Sequence, residues 1–133
     1  MLSKAVALVT SKFFYKKDIV RISDSWRVMK ERDGILLGDC DDFAITCFWY
    51  YSGENLLKFL WNLMITHKYR LYRAKTAKGE YHIVGSVDGL WFDNWTQEPL
   101  SKNEFLYQTK HKILYMYPSP VTAFYMLVGL FVK

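Results

Sequence analysis

The dipeptide Asp88-Gly89, set between two stretches of period-two sequence, restricts this chain more than any other feature. Both positions of a two-residue Asp-Gly connection accept positive φ, which closes a tight antiparallel hairpin. Residues 81–87 (YHIVGSV) lead into it and 90–95 (LWFDNW) lead out, both rich in β-branched and aromatic side chains. The turn dictates the register: Val87 opposite Leu90, Ser86 opposite Trp91, Val84 opposite Asp93, His82 opposite Trp95. His82, Val84, Ser86, Trp91, Asp93 and Trp95 therefore share a face, and His82 and Asp93 become diagonal neighbours whose side chains can meet. A slip of one residue would part them. Residues 69–75 show the same period and join 81–87 through a turn around Thr76, Lys78 and Gly79.

Ahead of the sheet the period is helical. Ala44, Cys47, Phe48 and Tyr51 recur at i, i+3, i+4 and i+7 and predict one buried helical face ending at Ser52-Gly53. Leu57, Leu60, Trp61 and Met64 predict a helix over 54–65 packed beside it. Shorter helices are expected over 2–14 and 25–32, a loop over 96–102, and strands over 113–117 and 121–132. The fold class is α+β: N-terminal helices on an antiparallel sheet, one domain over residues 1–133. With 51% hydrophobic and 18% aromatic residues, the chain can close a core without staples.

The segment GDCDDFA (38–44) sits where the first of those helices begins. Gly38 permits a turn, Asp39 is a good N-cap, and Cys40 is then the first helical residue, where the helix dipole favours thiolate over thiol. An isolated cysteine is ordinarily a small buried hydrophobe, and Cys47 fits that description. Cys40 is crowded by three acidic residues that oppose a thiolate, so an activated sulfur here requires a nearby cation. His82, as imidazolium steadied by Asp93, supplies it and completes the residue types of a thiol triad. The backbone N–H of Cys40 would be one oxyanion donor and the Trp26 indole a second, with Trp91 and Trp95 shielding the groove. His67 and His111, the latter between two lysines, read as solvated end-of-element residues, as does Asp42.

Several classes are set aside. The net charge of +5 is scattered over Lys16, Lys17, Arg70, Arg73, Lys110, Lys112 and others without the spacing of a nucleic-acid-binding motif. The apolar run 121–132 is about 12 residues, short of the roughly 20 that span a bilayer, and Pro118 and Pro120 separate it from 113–117. No h-region marks a leader. Cys40 and Cys47, two turns apart on one helix at about 10 Å, cannot pair as a disulfide. Reduced thiols point to a cytoplasmic location.

GDCDDFA, then EYHIVGSV, then GLWFDN together resemble the bacterial transglutaminase-like cysteine peptidases of the wider transglutaminase-like and papain-like superfamily, over residues 24–95. The resemblance implies a papain-like core with Cys40 as nucleophile, His82 as base and Asp93 as orienting acid. It also implies hydrolysis of an amide bond in a protein or peptide through a thioester. Acyl transfer to an amine and a catalytically silent interaction module are the alternatives. This chemistry needs no cofactor. Calcium enters through the resemblance alone, at Asp39 and Asp41, whose carboxylates suit it. The short length fits a compact form such as a phage or mobile element encodes.

Overall fold

The computed structural model describes residues 2–15, 28–29, 33–38, 40–96, 98–118 and 120–122. Helix α1 (Leu2–Lys12) buries Leu2, Ala5, Val6 and Val9, the i, i+3, i+4, i+7 stripe of an amphipathic helix. It stops short of residue 14. Phe13, Phe14 and Tyr15, β-prone aromatics, form strand β1 (Phe13–Tyr15), parallel to β2 (Leu36–Gly38). The Phe13 ring meets Phe43 edge-on at 4.9 Å. Residues 28 and 29 are irregular rather than helical, and the rest of the expected 25–32 helix lies outside the described residues.

Helix α2 (Cys40–Tyr51) is enclosed on nearly every side: Phe43, Ala44, Ile45, Cys47 and Phe48 are all buried, which is how a helix apolar around most of its circumference is stabilised. Its polar residues are drawn in too, and Thr46 Oγ1 accepts the backbone N–H of Met29 at 2.8 Å. Helix α3 (Leu56–Leu60) is capped by Asn55, whose side chain accepts from the Lys58 N–H, and runs into a π turn (Trp61–Ile65). The expected helical span is there, but its buried stripe is Phe59 and Leu63, while Leu57, Leu60, Trp61 and Met64 are exposed. Phe59 wins the core position because its ring packs against Trp49 and Tyr69.

Five antiparallel strands follow: β3 (Tyr69–Lys75), β4 (Tyr81–Val87), β5 (Leu90–Phe92), β6 (Leu100–Ser101) and β7 (Lys112–Met116), in the order β6-β5-β4-β3-β7. The hairpin has the expected register, with Val87 opposite Leu90 and Ser86 opposite Trp91, and both turn residues take positive φ (51° and 81°). The β4–β5 ladder ends at Phe92 instead of 95. Helix α4 (Lys102–Thr109), capped by Ser101, connects β6 to β7, the two edge strands of the sheet. Residues 120–122 are helical, against the expected strand, and 123–132 lie outside the described residues. Among the described residues no helix is long and apolar enough to cross a membrane.

Strand alternation divides the sheet into two faces. Tyr69, Leu71, Ile83, Val87 and Phe92 pack beneath α1 and α2. Ala74, Val84, Trp91 and Leu100 pack with Phe105 of α4 in a smaller core on the other side. The α2 face is tightest at Gly85, where an added Cβ would lie 2.8 Å from Phe92 Cζ and 3.2 Å from Ala44 Cβ.

Candidate active site

Helix α2 lies along β4. Phe48 stacks on Tyr69 at 4.9 Å, and Tyr69 pairs with Val87. One turn earlier, Ala44 sits over Gly85. Cys40, a further turn of about 6 Å back along the axis, stays on this α2 face with Ile83, whereas His82, opposite Ala74, turns to the α4 face. The expected meeting of the Cys40 thiol with the His82 ring is therefore not what the sheet's alternation gives. Cys40 is half-buried and packed against the α2-side core. Standing first in the helix, it lies in the field of the positive helix end. Cys47 is fully buried, and burial pushes its thiol pKa well up.

Beyond Phe92 the chain leaves the ladder. Asp93 Oδ1 accepts the backbone N–H groups of Trp95 and Thr96, both at 2.9 Å, a side-chain turn that aspartate favours. This fixes the carboxylate and leaves Oδ2 to face the α4 side of the sheet. His82 Nε2 stands 2.9 Å from that oxygen, the meeting that the hairpin register predicts. His111 Nε2 stands 2.9 Å from the same oxygen.

All three groups are buried. Burial alone would raise the Asp93 pKa; hydrogen bonds from His111 and His82, with the Thr96 N–H, outweigh it and hold the carboxyl well below the usual carboxylate range. An ionised Oδ2 accepts, so both Nε2 atoms donate. His82 thereby commits Nε2 to Asp93, and Nδ1 is the ring nitrogen left for proton transfer. Trp95, half exposed, lies against both imidazoles with centroids 5.3 and 4.9 Å away and screens the hydrogen bonds from water.

His111 is the residue that the sequence reading misplaced: expected in solvent, it is buried. Helix α4 ends with Lys110 in the left-handed conformation (φ 59°), and from there the backbone alternates. Lys110 and Lys112 point out and His111 points in, against Phe105. A Lys-His-Lys triplet leading into a strand carries that signal, since period-two alternation turns a residue between two exposed lysines inward. Asp42 is likewise buried. It presses on Gly38, where an added Cβ would stand 2.8 Å from Asp42 Cβ and 2.6 Å from Met29 Sδ, so close approach makes glycine necessary there. His67 is exposed, as expected, at φ 55°.

Of the remaining candidates, Trp91 is a core ring, stacked on Tyr72 at 4.3 Å beneath α4, and does not stand over the Asp93 cluster as a groove wall. Trp26 and Asp39 lie outside the described residues, as does the side chain of Asp41. One ligand-capable atom from each of His82, Asp93 and His111 lies within 4.8 Å of the others. Comparison with protein-family models, curated proteins and solved structures finds no match for this chain.

Proposed function

We propose that the protein is a thiol-dependent hydrolase of amide bonds in peptides or proteins, with a papain-like arrangement of its helix and sheet. What supports this reading is the pairing of His82 with Asp93 at 2.9 Å together with the place of Cys40 first in α2. His82 lies on the α4 face of the sheet and Cys40 packs on the α2 face, so the reaction requires thiol and imidazole to meet around the strand end. Cys40 Sγ transfers its proton to His82 Nδ1 and attacks the carbonyl carbon, and Asp93 stabilises the imidazolium so formed. The backbone N–H of Cys40 faces the developing oxyanion. Collapse of the tetrahedral species expels the amine, which takes the proton from His82, and leaves a thioester. Water then attacks, giving its proton to the imidazole, and restores the thiol. Acyl transfer to an amine is the second reading, favoured by the half-exposed Trp95 ring over His82, which disfavours water at the thioester.

Alkylation of the folded protein by iodoacetamide near neutral pH, followed by mass spectrometry, tests the activated thiol. Cys40 is expected to react at least about tenfold faster than Cys47, and His82→Ala should remove that advantage. Equal rates, or a Cys40 rate indifferent to His82, would reduce the protein to a silent interaction module.

A further inference from the structure

We propose that His82, Asp93 and His111 form a binding site for a divalent transition metal of the zinc class. Building on the reading above, we add that an occupied site takes His82 away from Cys40. The donors are two imidazole nitrogens and a carboxylate oxygen, a set that suits Zn²⁺. Both nitrogens already converge on one oxygen at 2.9 Å. Tetrahedral donors about 2.0–2.2 Å from zinc stand roughly 3.3–3.6 Å apart, so each nitrogen–oxygen gap has to open by about half an ångström.

The surroundings fit as well. The carboxylate is ionised, and its other oxygen is fixed by the Trp95 and Thr96 amides, the outer support that metal-binding carboxylates require. The three residues come from separate segments: β4, the turn after β5, and the approach to β7. A metal would therefore staple the α4–β7 connection to the hairpin. A metal held by Nε2 leaves Nδ1 as the ring nitrogen that carries a proton. Among the described residues, His111 Nδ1 and Asn94 Oδ1 are both buried without a hydrogen bond. A proton on His111 Nδ1 creates a donor there, and the turn that carries Asp93 buries an unused acceptor. Three protein ligands leave a fourth coordination position for water or an incoming group.

The test uses the whole chain, with zinc as ligand and cobalt as its spectroscopic stand-in. One equivalent of Co²⁺ should give the visible absorption of a four-coordinate site, which Zn²⁺ displaces. Zinc should raise the melting temperature, and imidazole NMR signals should move for His82 and His111 but not for His67. His111→Gln should weaken zinc binding by about 10–100-fold, and Cys40→Ala and His67→Gln should not. The NMR measurement on the unmodified protein keeps the test sound if His111→Gln unfolds. Absence of stoichiometric binding, or binding that leaves both buried imidazoles unmoved, overturns the site. If zinc does shift His82 and His111 while Cys40 alkylation keeps its speed, the metal site stands and the pairing of His82 with Cys40 is what fails.

Discussion

The two faces of the sheet are closed by different physics. Beneath α2 the contact is almost wholly apolar: Phe43, Ala44, Cys47 and Phe48 against Ile83, Val87, Phe92 and Tyr69. Beneath α4 a small apolar core, Ala74, Val84, Trp91, Leu100 and Phe105, continues into a buried cluster made of two imidazoles and a carboxylate. Apolar packing is non-directional and spreads its stabilisation over many atoms. A buried polar cluster concentrates it on a few hydrogen bonds that must all be made. The α2 face should therefore respond to volume, and the α4 face to single atoms.

The largest effect is expected at the atom that both imidazoles share. Asp93→Ala removes the acceptor for two buried N–H donors, at His82 and His111, and the cap for the Trp95 and Thr96 amides. Removing one partner from a buried charged network costs about 3–5 kcal/mol, so thermal melting should fall by about 10 °C or more. The pH dependence follows from the depressed carboxyl pKa. A carboxyl with a lowered folded pKa contributes stability in full above its unfolded value of about 3.9 and loses it as pH falls toward the folded one. Melting followed from pH 6 downward should therefore steepen below about pH 4 in the native chain and less so in Asp93→Ala. If the variant melts like the parent, the contrast between the faces is gone.

On the α2 face the sharpest probe is an added methyl group. Gly85→Ala would set a Cβ 2.8 Å from the Phe92 ring and 3.2 Å from the Ala44 Cβ, and neither is the free end of a flexible side chain. Overpacking of this kind costs typically about 1–3 kcal/mol. Denaturant unfolding should show a lower midpoint with an unchanged slope. A cost near zero would mean that α2 can lift from the sheet, and that Cys40 is less firmly held against the α2-side core than its packing implies.

What the sequence disclosed follows the same division. The hairpin was legible because Asp88-Gly89 determines register by local backbone chemistry, and register alone brings His82 to Asp93. The α2 stripe was legible because its period is unbroken. The stripe of 54–65 was misassigned because four exposed apolar residues imitate a core face, and only the rings of Trp49 and Tyr69, brought in from elsewhere, show that Phe59 is the buried one. His111 was missed for a different reason. Its neighbours Lys110 and Lys112 dominate a composition-based reading, and the left-handed Lys110 that turns it inward is a tertiary outcome of where α4 stops.

The smallest expected effect tests whether the α2 face has any polar contact on which its stability depends. Its buried hydroxyl pair is Ser52 Oγ with Tyr69 OH at 2.5 Å. Tyr69→Phe deletes that bond and keeps the ring stacked on Phe48. The partners are not stranded: Ser52 Oγ still donates to the Phe48 carbonyl, and Asn62 Nδ2, which loses a long 3.5 Å contact to the hydroxyl, is only part-buried and can turn to water. A hydrogen bond removed without leaving a buried group unsatisfied costs only about 0.5–1.5 kcal/mol. The loss in Tyr69→Phe should thus fall well below that in Asp93→Ala in the same melting assay, although Tyr69 is the larger of the two buried side chains. Equal losses would show that both faces depend on polar contacts, and that the cluster at Asp93 is not set apart by its hydrogen bonds but shares a general sensitivity of the fold.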